Sequence, residues 1–244
     1  MMPYRAAPFG LLCVVSAFAC GGGGSRSGDP NAATAGEDSG TSSVATGQNA
    51  NPDGVAYPNP PTGYGRAART GKQPGSIINN FKFLGYRNGD RAAGLTTIAL
   101  ADYFDPCQKR YKLLHLTVAA VWCGPCNMET DTIVADKKTL DAEGVVVIQA
   151  LDDGPTMNVD ATVTDLNGWM FVHRANFTEM LDPGLHNLGG FFEAASVPWN
   201  ADIDVRTMEI LREGVGYDPT FDLSTQLQEG STQAPAYGLA ISCP

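Results

Sequence analysis

From about residue 76 the apolar residues fall into short blocks that alternate between strand-like and helix-like spacing. Phe81–Tyr86 (FKFLGY) and Thr96–Leu100 (TTIAL) read as strands able to pair with each other. Residues 111–121, YKLLHLTVAAV, are mostly apolar and partly β-branched. That is the pattern of a strand buried on both faces. Residues 125–140 then carry Met128, Ile133, Val134 and Leu140 at helical spacing. Gly144 closes the unit, and Val145–Ile148 forms another buried strand. Strand, helix and strand in that order predict a right-handed crossover and parallel pairing. Further along, residues 160–175 predict a helix, Phe177–Leu181 a short strand and Leu185–Ala194 a short helix. Asn200–Val205 and Met208–Arg212 predict a terminal hairpin, and Leu223–Gln228 a last helix. Trp169, Phe171, Phe191 and Phe192 are expected in the core. The sum is an α/β domain over residues 76–230, about 150 residues, a size that buries a substantial core, followed by a tail, 231–244.

The N-terminal quarter is built differently. Arg5 precedes an uncharged apolar run, residues 6–19, that ends in Ala17-Phe18-Ala19. A basic start, a short apolar stretch and a small-residue cleavage site predict a secretory signal peptide over residues 1–19. Cys20 follows at once, and the segment resembles a bacterial lipoprotein signal, in which that cysteine is acylated. Ala19 fits that pattern and Ala17 departs from it, since Leu is usual there. An ordinary signal cut after Ala19 is the alternative. Residues 21–63 begin Gly21-Gly22-Gly23-Gly24-Ser25 and contain no Leu, Ile, Phe or Met. Such a stretch buries too little apolar area to offset its ordering entropy. Residues 20–63 therefore predict a lipid-anchored flexible tether with an end-to-end distance of roughly 35 Å.

Charge narrows the partners. The chain of 244 residues has 16 Lys and Arg against 26 Asp and Glu, a net charge of −10. Nucleic acid is excluded as the main partner, because neutralising phosphates requires clustered basic residues. No apolar run approaches the ~20 residues of a spanning helix. Six cysteines in 244 residues are too sparse for a disulfide scaffold.

Trp122-Cys123-Gly124-Pro125-Cys126 stands where a strand meets a helix. A thiolate at a helix N-terminus faces unsatisfied N–H groups and the positive end of the dipole. Cys123 is accordingly expected at the cap, exposed and activated. Cys126, one turn inward, can attack a mixed disulfide formed at Cys123. Pro125 suits the first turn, which needs no N–H partner there. No metal is expected, because no two of His115, His173 and His186 have ligand-pair spacing. No cofactor is expected either.

The WCGPC string resembles the active site of the thioredoxin superfamily. With the signal peptide, the tether and Glu129, it looks most like the extracytoplasmic TlpA-like branch, over roughly residues 75–230. The resemblance implies a thioredoxin fold: a central mixed sheet flanked by helices, here with an N-terminal strand extension. It also implies thiol–disulfide exchange by Cys123 and Cys126. Ser196-Val197-Pro198 matches the family's cis-proline facing the dithiol. A cis-Pro198 would present the Val197 backbone to an extended polypeptide; a trans proline opening an edge strand is the alternative. Thioredoxins proper carry a buried Asp six residues before the first cysteine, where this chain has Thr117. Glu129, three residues after Cys126, is expected to act as base from the helix, or else to be a solvated surface carboxylate. His115 reads as a satisfied strand histidine. Trp122 is expected to shield the disulfide and touch partners, and Trp199 either to flank the same groove or to lie in the core.

These readings favour an envelope thiol–disulfide oxidoreductase, acting as a reductant. Its expected partners are exported proteins with cysteine pairs, a membrane electron donor, and the bilayer through Cys20. A peroxiredoxin-like peroxidase and a copper-delivery lipoprotein are the alternatives. Of the remaining cysteines, Cys107 and Cys243 are expected to pair as a structural disulfide, as a leftover pair tends to in an oxidising compartment. Two unrelated thiols are the other possibility.

Overall fold

The computed structural model describes residues 47–58, 74–191 and 196–217. Seven strands form one sheet in the order β2-β1-β5-β4-β3-β6-β7. They are β1 (Lys82–Tyr86), β2 (Thr96–Ala99), β3 (Leu113–Ala119), β4 (Val145–Leu151), β5 (Thr178–Leu181), β6 (Trp199–Asp204) and β7 (Glu209–Val215). β4 pairs in parallel with β3 and with β5; every other pairing is antiparallel. The hairpin β1–β2 is the expected N-terminal extension, added through β1 to the free edge of β5.

Every residue of β3 is buried, and its two faces differ in chemistry. Leu114, Leu116 and Val118 join the main core with Ile98, Ile148, Met180, Trp199 and Ile203. Ile77, Ile78 and the 3-10 turn Leu100–Tyr103 pack over that face. Leu113, His115, Thr117 and Ala119 point the other way, as period-two alternation requires. That second face is covered by α1 (Gly124–Glu143) and α2 (Val163–His173).

Both helices begin and end on readable signals. Cys123 caps α1, Pro125 lies in its first turn, and Gly144 ends it at φ 83°. That left-handed conformation costs glycine little. Thr162 caps α2 in a reciprocal box with Asp165, satisfying donors that a bare helix end leaves open.

Three expectations are corrected. Leu185–Ala194 is not a helix: the described part holds the 3-10 turns Pro183–Leu185 and Gly189–Phe191. Gly184 and Leu185, at φ 59° and 57°, break helical continuity at the start. Phe171 is not core; it is 71% exposed, while Trp169 and Met170 on the same helix are buried. Part of the expected tether is docked on the domain: Ala50 and Asn51 are buried. Asn51 Nδ2 donates to the Phe104 carbonyl at 3.0 Å, and the Tyr57 hydroxyl donates to the Ile78 carbonyl at 2.8 Å. The side-chain oxygen of Asn51 also accepts from the N–H groups of Asp53 and Val55, closing an Asx turn. The signal peptide, Cys20, Phe192, the last helix Leu223–Gln228 and Cys243 lie outside the described residues; Phe191 closes the second 3-10 turn.

Two positions in the β1–β5 seam carry stability predictions. A Cβ at Gly85 would overlap the Glu179 carbonyl oxygen and stand 2.7 Å from Met180 Cα. Gly85→Ala is expected to cost about 3 kcal/mol in urea unfolding; a loss under about 0.5 kcal/mol would contradict the close approach. Glu179, fully buried, has no hydrogen-bond partner on either carboxyl oxygen. Burial pushes its pKa well above the ordinary 4.5. The folded chain thus holds a proton that the unfolded chain releases. Its contribution to stability is complete below the unfolded pKa and is lost as pH rises through the folded one. The urea midpoint should therefore fall between pH 5 and pH 8. Glu179→Leu should raise the unfolding free energy by roughly 2 kcal/mol near neutrality and flatten the fall of the midpoint with pH. An unchanged slope would exclude Glu179 as its source.

Candidate active site

The site forms where β3 ends and α1 begins. Cys123 is the N-cap of α1, and its Sγ accepts a hydrogen bond from the Cys126 N–H at 3.1 Å. This is the contact a thiolate at a helix N-terminus exploits. The two cysteines form a disulfide, with Cα atoms 5.2 Å apart. Val197–Pro198 is a cis peptide bond, and the Val197 carbonyl oxygen lies 3.5 Å from Cys123 Sγ. The structure thus brings Cys123, Cys126, Val197 and Pro198 together from two distant segments.

Cys123 is less accessible than expected. It is 2% exposed, covered by the first turn of α1 and the Val197 backbone. Gly124 and Pro125 are exposed, and Trp122 and Val197 are half-buried, so these four form the rim. Trp122 Nε1 donates to Asp153 Oδ2 at 3.0 Å, fixing the indole against the loop after β4. Burial pushes the neighbouring Asp152 carboxyl up to about 6.

Trp199 is not part of this rim; it is 1% exposed in the main core. Its neighbour takes the place beside the dithiol helix. Asn200 Nδ2 donates to Glu129 Oε1 at 2.7 Å, and Thr117 Oγ1 donates to Glu129 Oε2 at 3.0 Å. Glu129 is buried rather than solvated. Burial raises its pKa, opposed by the His115 charge and these two hydrogen bonds. His115 is satisfied by Asp202, Nδ1 to Oδ1 2.8 Å. Burial lowers the His115 pKa, but the hydrogen bond and charge of Asp202, with the Glu129 charge and an Asn200 hydrogen bond, outweigh it and the net shift is upward. A carboxyl group thus reaches the Thr117 position from α1, on the helix face that carries Cys126 three residues earlier.

Asn200, Asp153 and Asp202 at the site, and a partner for His173, had no signature in the sequence. Asn127 and Asp131 share a helix face, yet nothing local joins them to His173, which contacts both. Cys107 is disulfide-bonded, and it precedes β3, whereas Cys123 follows it. No group of three or more metal-ligating side chains occurs among the described residues.

No family model matches the chain, and no curated protein does. Solved structures do. A provisionally named protein disulfide isomerase of Bacteroides thetaiotaomicron superposes with a TM-score of 0.50 at 17% identity, over 68% of this chain and 95% of its own. The chain has a thioredoxin fold. A secreted thiol-disulfide isomerase of Corynebacterium glutamicum is similar at 17% identity and TM-score 0.47, over 63% of this chain and 85% of its own. The exposed lipoprotein thioredoxin of Streptococcus pneumoniae is similar at 22% identity and TM-score 0.43, over 62% and 99%. Within the thioredoxin fold, the dithiol stands at the end of β3 and the cis-proline at the entry to β6, adjacent strands of the sheet.

Proposed function

We propose that the chain is a thiol–disulfide oxidoreductase of the bacterial cell envelope that reduces disulfides in exported proteins. The observation that carries this reading is the Cys123–Cys126 disulfide capping α1, with the Val197 carbonyl beside it. In the reduced protein, the Cys123 thiolate attacks a substrate disulfide. A mixed disulfide forms, and one substrate sulfur leaves as a thiolate and takes up a proton. Cys126 then gives its proton to the Glu129 carboxylate and attacks Cys123 Sγ. The second substrate thiol departs, and the Cys123–Cys126 disulfide is left behind. Two electrons pass from the dithiol to the substrate, and a membrane electron donor restores them. Val197 supports an extended substrate segment through its backbone groups beside the dithiol.

The reductant direction follows from the Gly124-Pro125 dipeptide, which resembles that of reducing thioredoxins. Cys20 is acylated and holds the domain at the membrane. Cys107 pairs with Cys243. Insulin reduction, peroxide consumption and copper titration, run side by side, test the activity. Insulin reduction alone is expected. Peroxide turnover, or tight copper binding without reduction, would overturn the reading. Mass spectrometry of the mature N-terminus and non-reducing peptide mapping test the anchor and the bridge.

A further inference from the structure

The first turn of α1 is tied to the end of α2 by side chains to which the exchange reaction above assigns no part. Asn127 donates from Nδ2 to the Cys123 carbonyl at 2.7 Å and to the Val121 carbonyl at 3.4 Å. Its backbone N–H donates to the same Cys123 carbonyl at 3.1 Å. Main-chain acceptors thus occupy both amide hydrogens, which leaves Asn127 Oδ1 to face His173 Nε2 at 3.1 Å. On its other side, His173 Nδ1 lies 2.7 Å from Asp131 Oδ1. Both ring nitrogens face side-chain oxygens. The ring is buried and packs on Trp169, centroids 4.2 Å apart. Trp169 Nε1 donates to Gln149 Oε1 at 2.9 Å, Gln149 bonds Thr130, and Thr130 Oγ1 donates to the Cys126 carbonyl at 2.9 Å. The row ends on the carbonyls of both active-site cysteines.

We propose that His173 is a positioning residue for the dithiol: acting through Asn127, it fixes the turn Val121–Cys123 and so sets the reactivity of the attacking thiol. This rests on Cys123 being the nucleophile of the reaction proposed above. Without an N–H on His173, Asn127 Oδ1 is left unpaired, and the amide gains by rotating away. The carbonyls it holds are then released. The turn loosens, and the N–H of Cys126 loses its aim at Cys123 Sγ. Networks of this kind act as a unit, so removing either member should produce the same fault.

The test is the pH profile of Cys123 alkylation in the reduced full chain, followed by mass spectrometry. H173F keeps a ring against Trp169 and removes both donors. It is expected to slow alkylation at pH 6 about tenfold and to move the profile to higher pH. N127A should do the same, and H173F added to N127A should slow it no further. D131N alters a side chain that is 67% exposed, and should shift the profile the same way by less. If H173F and D131N lower the melting temperature but leave the profile where it was, His173 only pins the helices and the proposal fails. It fails equally if H173F exerts its full effect on top of N127A. Should H173F not fold, N127A and D131N decide, and unchanged profiles in both overturn it. A wild-type chain that never reduces insulin counts against the exchange reaction instead, since alkylation is read without a substrate.

Discussion

Cys123→Ser is expected to reduce insulin reduction to background, a loss of at least about a thousandfold, without unfolding the domain. Cys126→Ser is expected to lose turnover as completely but to accumulate mixed disulfides with partner proteins through Cys123. The asymmetry follows from geometry. Cys123 is the cap residue, its Sγ meets the Cys126 N–H at 3.1 Å, and the Val197 carbonyl lies beside it. Cys126 is fully buried one turn inward and can reach only a sulfur already bound at Cys123. Trapping gels with extracts of the envelope check this. Partner adducts on Cys126 in the Cys123→Ser variant would reverse the two roles.

Glu129→Gln is expected to slow release of the second substrate thiol by about a hundredfold, the usual worth of a positioned proton acceptor. The mixed disulfide should then persist in single-turnover quenches while its formation stays fast. Folding should survive, because the amide has the shape of the carboxyl: its oxygen can keep the Asn200 Nδ2 bond and its N–H can donate to Thr117 Oγ1. The pH dependence has a definite sign. Burial raises the Glu129 pKa, so the carboxyl stays protonated to a higher pH than a surface glutamate and cannot accept a proton there. Wild-type release should therefore quicken as pH rises through that raised value, and the Gln variant should lack this limb. An unaltered limb would place the base elsewhere.

Much of this was legible in the chain because the deciding residues are contiguous. A strand buried on both faces, a capped helix and the motif between them occupy residues 113–144 without interruption. The cis-proline was legible only through the family resemblance. What lay beyond reach depended on register and on distant contacts. The pairing of β6 with β3 sets Trp199 opposite Val118 and Asn200 opposite Thr117. One step of register therefore decides that the amide, not the indole, faces α1. In α2 the angular phase turns Trp169, Met170 and His173 inward and leaves Phe171 outside. Residues 47–58 lack large aliphatics, yet the Asn51-Pro52-Asp53-Gly54 turn and Tyr57 dock them through hydrogen bonds. Val55 and the Tyr57 ring also pack on the core, but two apolar residues make no periodic pattern to read.

The central claim is that Cys123 and Cys126 form a working couple poised to reduce protein disulfides. Its reduction potential tests this most directly, by equilibration against graded dithiothreitol ratios with the dithiol fraction read by intact mass. A two-electron transition near thioredoxin's value of about −270 mV is expected. A potential near −120 mV would make the chain an oxidant, and a disulfide that stays closed at every ratio would make it a structural bridge; either contradicts the account.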